Sequence, residues 1–206
     1  MNRKQVPKGK LVRRLGINLF DQPKYDRLLK RKSSKPGLHA GKRGGKKGSE
    51  YSKQLIEKQK MKFAYGLSER QFRNIFERAK TMPGITGNNM LALLERRLDN
   101  VVYRAGFACT RAMARQIVGH GHIHLNGRVV NIPSTIIRPG DFIEVKPREH
   151  IQKLVREQLS RNNVKAKTTW IEVSEDQLNI KIERIPRRDE IPTIANEQMV
   201  VELYAK

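Results

Sequence analysis

Three histidines, His120, His122 and His124, alternate just ahead of the dipeptide Asn126-Gly127. Imidazoles this close in sequence raise two chemistries first, metal ligation and acid–base catalysis. Spacing argues against the first. Alternate residues on a strand lie about 6.6 Å apart, so His120 and His124 would stand about 13 Å apart, whereas zinc holds each nitrogen within about 2.1 Å. No second ligand group at a recognised spacing accompanies them, so neither a metal nor a cofactor is expected. Catalysis fares no better: Cys109, the single cysteine, sits between Ala108 and Thr110 with nothing to mark an oriented base or an oxyanion hole, and reads as a packing residue. What remains is that polar residues beside a glycine kink face solvent or a partner.

The charge says what kind of partner. The 206 residues carry 43 Lys+Arg against 20 Asp+Glu, a formal net charge of +23. A chain so far from neutrality repels itself unless a polyanion compensates it, and for a basic protein that polyanion is usually nucleic acid. Membrane partners are not expected: no apolar run approaches the roughly 20 residues of a spanning helix, and the first ten residues lack the apolar core of a secretion signal. One cysteine allows no internal disulfide, which fits a reducing, cytoplasmic setting. Aromatic residues make up only 6% of the chain, so docking on structured RNA is favoured over stacking along single strands.

The excess is uneven. Residues 1–50 hold 16 Lys+Arg against 3 Asp+Glu in a Gly-, Pro- and Ser-rich setting, and read as a basic arm, 1–48, that orders only against its partner. Residues 171–206 hold 5 Lys+Arg against 8 Asp+Glu, a tail that phosphate would repel.

Between these ends the elements can be placed. Ser49 caps a helix to about Tyr65, with Lys53, Lys58 and Lys60 on its polar side. Ser68 and Gln71 form a capping box for a second helix, whose Phe72, Ile75, Phe76 and Ala79 make one buried stripe while Arg70 and Arg73 stay outside. A third helix is expected from about Asn88 to Ala105, with Leu91, Leu94, Leu98 and Val102 inward and Arg96, Arg97 and Arg104 outward. Thr110 caps a fourth, leaving Arg111 and Arg115 one turn apart on its open side. The pair Asn126-Gly127 closes a hairpin with Ile123 opposite Val130 and His124 opposite Val129. Further strands follow at 142–145, 170–173 and 178–185, a helix at 148–161, and a short terminal element at 198–203. The fold class is α+β: a helical domain at 49–90 joined by the segment 190–206, and a module at 91–189. Arg111, Arg115, His120, Asn126 and Arg128 are then expected along one edge, where guanidinium forks suit phosphate and amide and imidazole groups suit 2′-hydroxyls.

These residues carry a resemblance. The run from Leu91 to Arg104, then Thr110-Arg111, Ala114-Arg115-Gln116, His120-Gly121, Leu125-Asn126-Gly127-Arg128 and Gly140-Asp141, resembles the S-four RNA-binding module. Glu57-Lys58-Gln59-Lys60, Tyr65-Gly66, the run from Glu69 to Asn74 and the ending Val201-Glu202-Leu203-Tyr204 extend it to the bacterial-type S-four family of small-subunit ribosomal proteins. That family implies a non-catalytic primary binder of 16S ribosomal RNA at a helical junction of the 5′ domain. It nucleates assembly of the subunit body and contributes to translational accuracy beside small-subunit protein five. Carried onto this chain, the RNA-binding set is Arg3, Lys10, Arg13, Arg14, Lys53, Lys58, Lys60, Arg70, Arg73, Arg96, Arg97, Arg104, Thr110, Arg111, Arg115, Gln116, His120, Asn126 and Arg128. Lys42, Arg43, Lys46 and Lys47 match the arm segment on the messenger RNA side, and Arg187, Arg188, Asp189 and Glu190 the region facing protein five. Many members bind zinc through arm cysteines; here Gly9 and Val12 stand at the first pair's positions, which implies a zinc-free member. An RNA-modifying enzyme bearing the same module is the rival reading, but the residues after the module offer no convergent acidic pair. A free chaperone-like RNA binder is the third.

Overall fold

The computed structural model describes residues 7–37, 49–161, 168–174, 176, 178–192 and 195–205. In chain order the elements are α1 (Lys8–Leu15), α2 (Pro23–Arg31), α3 (Glu50–Ala64), α4 (Glu69–Lys80), α5 (Thr86–Glu95), α6 (Leu98–Arg104), α7 (Arg111–Gly119), β1 (Ile123–Leu125), β2 (Arg128–Val130), β3 (Phe142–Val145), α8 (Glu149–Arg161), β4 (Ile171–Ser174), β5 (Asn179–Ile182), a 3-10 turn (Arg188–Glu190) and α9 (Glu197–Ala205). They fall into two compact units, Met1–Leu67 with Thr193–Lys206, and Ser68–Pro192. The class is α+β, as the alternation of periods requires.

In the first unit α1 and α2 pack on one another around Leu11, Val12, Leu19 and Tyr25, all buried. Gly16 adopts a left-handed conformation (φ 73°) and its N–H closes α1 on the Val12 carbonyl, while Pro23 opens α2. Asn18 holds the connection, donating to Asp26 at 2.8 Å and to the Gln22 carbonyl at 3.0 Å. Residues 7–37 therefore form local structure of their own, against the expectation of an arm ordered only by its partner. Four apolar side chains close enough in sequence to meet make the difference. Helix α3 starts at Ser49, whose hydroxyl accepts from the Ser52 N–H, and packs along α9. Buried Gln54 donates to Glu202 at 3.0 Å, and Glu57 accepts the Asn196 N–H at 2.9 Å ahead of α9.

Among the described residues of the second unit an apolar core runs from Leu98, Val101, Val102 and Phe107 through Ile117, Val118 and Ile123 to Val155, Trp170 and Ile180. Its sheet of described strands runs in the order β2-β1-β3-β5-β4 with every neighbour antiparallel. The capping box of Ser68 and Gln71 is formed, and the hairpin register is the expected one, Ile123 facing Val130 and His124 facing Val129. Asn126 and Gly127 take positive φ (51° and 77°), the geometry that a two-residue hairpin turn demands. Helix α4 packs on α5, so residues 68–90 group with the module by compactness, whereas the expected division fell after residue 90.

One element departs from expectation in a way that matters for the site. The single helix expected over 88–105 is two, α5 and α6, broken at Arg96 and Arg97. Arg97 is extended (φ −67°, ψ 136°) and pairs as a bridge with Ile136. The segment 133–137 enters this gap: Leu98 N–H donates to Thr135 O at 2.8 Å, Asp99 N–H to Pro133 O at 3.1 Å and Ile137 N–H to Arg96 O at 2.9 Å. A distant loop thus supplies the hydrogen bonds that a continuous helix would have made internally.

Candidate nucleic-acid interface

The break turns the polar residues of 95–104 inward. Arg97 and Asp99 are 4% and 2% exposed, and form a two-bond fork: Nε to Oδ1 at 3.0 Å and Nη2 to Oδ2 at 2.8 Å. Arg115 of α7 reaches the same carboxylate, Nε and Nη2 lying 2.9 and 2.7 Å from Oδ2. Beside it Arg104 grips buried Glu95 through two bonds, 2.8 and 2.7 Å. Asn100 donates to the Glu95 side chain at 2.8 Å and its main-chain carbonyl at 3.1 Å, and accepts from Arg111 Nε at 2.8 Å. The Arg111 guanidinium lies over the Tyr103 ring, 4.5 Å from its centroid.

This corrects the outward placement of Arg97 and Arg104. Arg97 is buried and Arg104 half-buried, each with its fork on an acid, because two carboxylates shut inside a core must be matched by cations. Arg96 is half-buried and donates to the Ile137 carbonyl at 2.7 Å. Burial, and then the nearby Arg78 and Arg138, push its guanidinium below the ordinary value.

Helix α7 carries the two arginines of the expected edge, Arg111 and Arg115. Thr110 caps it through the Met113 N–H, which puts Arg111 at the first helical position. A cation there opposes the positive end of the helix dipole, and no acid sits in that first turn. The arrangement concentrates positive potential where a phosphate would relieve it. Arg111 and Arg115 are half-buried; Gln116, His120, Asn126 and Arg128 are exposed. Asn126, however, has its amide engaged: the nitrogen donates to Asp141 at 2.9 Å and the oxygen accepts the Phe142 N–H at 2.8 Å. Its placement ties the hairpin to the start of β3.

The histidines separate. His120 is exposed at the end of α7; His122 and His124 are half-buried, and the buried Nδ1 of His122 and Nε2 of His124 have no hydrogen-bond partner among the described residues. His122 meets His120 (ring centroids 5.9 Å apart) and His150 of α8 (6.2 Å) rather than His124. Burial first, then His120, Arg148, His150 and Lys146, hold the His122 imidazole below its ordinary value of 6.5. Among the described residues no group of three or more His, Cys, Asp or Glu could hold a metal ion. Cys109 is exposed rather than packed, its Sγ 3.6 Å from Met113 Sδ.

The other expected residues scatter over the surface. Lys10 and Arg14 are exposed on α1, while Arg13 folds back on Ser34, Nε donating to its carbonyl at 3.1 Å. Lys53 pairs with Glu50 at 3.1 Å and Lys60 with Glu57 at 2.6 Å; Lys58 lies over the Tyr204 ring. Arg70 and Arg73 are exposed on α4, the latter 3.9 Å from Glu77. Arg3, Lys42, Arg43, Lys46 and Lys47 lie outside the described residues. In the 3-10 turn Arg187 and Asp189 are exposed, while Arg188 donates to the Ile191 carbonyl at 3.2 Å. Glu190 turns inward, bonded to Arg184, to Thr169 and to the Arg187 N–H at 2.8 Å. The Arg184 guanidinium, above all, holds the Glu190 carboxyl down at about 2.

Not foreseen were Glu95, Asp99, Asn100 and Tyr103 as partners of the arginines. The signal was present: Glu95 stands at the helical spacing of Leu91, Leu98 and Val102, and an acid within an apolar stripe announces a buried ion pair. His150 as a neighbour of His122 left no such trace.

Comparison with known proteins covers the whole chain. Residues 3–95 match the model of the ribosomal protein S4/S9 N-terminal domain, and residues 96–143 that of the S4 domain. The chain is 61% identical over 207 residues to small ribosomal subunit protein uS4 of Borrelia hermsii, covering 100% of this chain and 99% of that protein. The uS4 proteins of Borreliella burgdorferi strain ZS7 and Borreliella afzelii are 60% and 56% identical over the same shares of both chains.

Proposed function

Because this chain belongs to the S4 family of small ribosomal subunit proteins, structural components of the ribosome rather than enzymes, we propose that it is a primary binder of 16S ribosomal RNA at a helical junction of the 5′ domain, and that it nucleates assembly of the subunit body. Family membership assigns it to the small subunit of the cytoplasmic ribosome; no described helix is long and apolar enough to cross a membrane. The observation that carries the RNA reading is α7, where Arg111 at the first helical position and Arg115 one turn further on are each held by a fixed partner, Asn100 and Asp99. Lysines and arginines elsewhere displace counterions along phosphates without reading sequence, and the α7 edge fixes register on one RNA shape.

Two finer assignments rest on the same family reading. Lys42, Arg43, Lys46 and Lys47 face messenger RNA where it enters the subunit. The turn of Arg187, Arg188, Asp189 and Glu190 meets small-subunit protein five and bears on translational accuracy; with Glu190 tied inward, the exposed Arg187 and Asp189 are its contact side chains. The test is binding of the purified chain to the 5′ domain RNA and to an unrelated structured RNA of equal length, over a salt series. Affinity for the first is expected to persist at salt concentrations where the second is lost. Parallel loss on both would reduce the interaction to charge alone and favour the chaperone-like reading.

A further inference from the structure

We propose that Asp99, together with the pair Glu95 and Asn100, positions the RNA-binding arginines of α7: these three residues touch no RNA and act by fixing Arg115 and Arg111. The proposal rests on the reading of the α7 edge as the RNA contact. The geometry runs in two relays. In one, Arg97 fixes the Asp99 carboxylate from inside the core with a two-bond fork, and Asp99 in turn takes both Nε and Nη2 of Arg115, whose side chain is 35% exposed. In the other, Arg104 fixes Glu95, Glu95 takes the amide nitrogen of Asn100, and the amide oxygen is thereby aimed at Arg111 Nε while Tyr103 supports the guanidinium from below.

Charge bookkeeping agrees with this direction. Four arginines (Arg97, Arg104, Arg111, Arg115) against two acids (Glu95, Asp99) leave an excess of two positive charges in the cluster. Arg97 and Arg104 each sit on one of these acids, and Arg115 shares Asp99. A long side chain that must be immobilised on binding costs affinity, and one already held by a carboxylate does not. A lysine could not substitute, because a point charge cannot be oriented by two bonds along one edge. The break at Arg96–Arg97 gains a purpose: it sets Asp99 and Asn100 in the first turn of α6, facing the arginines of α7, and Glu95 at the end of α5 within reach of Asn100.

The experiment uses the full chain with the 5′ domain RNA and, separately, a generic RNA duplex of equal length at one salt concentration. Arg115→Ala is expected to lower affinity for the 5′ domain roughly tenfold. Asp99→Asn is expected to lower it by a similar factor, and the double variant by no more than about a further twofold, since both remove one oriented fork. Arg115→Lys, which leaves the Arg97–Asp99 fork intact, is expected to lose nearly as much on the 5′ domain while holding the generic duplex as before. A double variant in which the two losses multiply to roughly a hundredfold, or an Arg115→Lys variant that binds the 5′ domain like the parent, overturns the positioning role. A merely structural Asp99 would lower stability and leave the ratio of the two affinities unchanged, which also overturns it. If Arg115→Ala itself loses nothing, the interface reading fails first and the proposal falls with it.

Discussion

Arg97→Ala separates a structural arginine from an RNA-binding one, because the sequence and the structure give opposite expectations for it. The side chains of Arg97 and Asp99 are 5% and 3% exposed, so removal of the guanidinium withdraws both bonds to a carboxylate that water barely reaches. Breaking a buried pair from one side costs about 3–5 kcal/mol. Arg115 still faces Asp99 Oδ2, which sets the expectation at the lower end, about 3 kcal/mol. In a chain of this size that lowers the melting temperature by roughly 10 °C. The assay is urea unfolding followed by the fluorescence of Trp170, the single tryptophan, 1% exposed in the core of the same unit. Alongside it, the salt dependence of RNA binding by the folded variant is expected to keep its slope, since a buried guanidinium neutralises no phosphate. A stability loss under about 1 kcal/mol, with a slope reduced by about the 0.9 that one lost phosphate contact gives, would return Arg97 to the RNA surface.

Other outcomes follow from the same geometry. The double variant Arg111→Ala, Arg115→Ala is expected to weaken binding to the 5′ domain by at least tenfold, and more than binding to generic duplex RNA; equal losses would mean that the edge reads only charge. His122 is expected to titrate below 6.5 by nuclear magnetic resonance, held down by burial and its basic neighbours. Because the folded state then binds its proton less readily than the unfolded chain, this residue's contribution is complete above 6.5 and is lost as pH falls through the lowered value; a midpoint above 6.5 contradicts the packing. For Glu190 the depressed value of about 2 means that its stabilisation of the turn is complete above the ordinary 4.5 and disappears as pH falls towards 2. Glu190→Gln at neutral pH is expected to speed amide exchange at Arg187, whose N–H it accepts; unchanged exchange would show the bond to be incidental.

Local rules carried much of the fold. Ser49, the Ser68–Gln71 box, Thr110 and the Asn126-Gly127 turn each act within four residues of themselves, and each formed as its chemistry dictates. What failed needed the chain to return from a distance. The break at Arg96–Arg97 exists because residues 133–137 supply its hydrogen bonds, and a helical period over 88–105 contains no mark of them. In the site, α7 and its two arginines were legible from a cap and a four-residue spacing. The inward roles of Arg97 and Arg104 were not, because an arginine on a helix defaults to solvent until its acid is identified. Glu95, placed among leucines, was the clue that the default did not hold.

Site-specific binding is read out by hydroxyl-radical footprinting of the 16S 5′ domain with the purified chain. Protection is expected to gather at one multi-helix junction and to be retained as salt is raised past the point where an unrelated RNA is released. Protection spread thinly along the RNA, fading in step with general binding, would contradict site-specific binding.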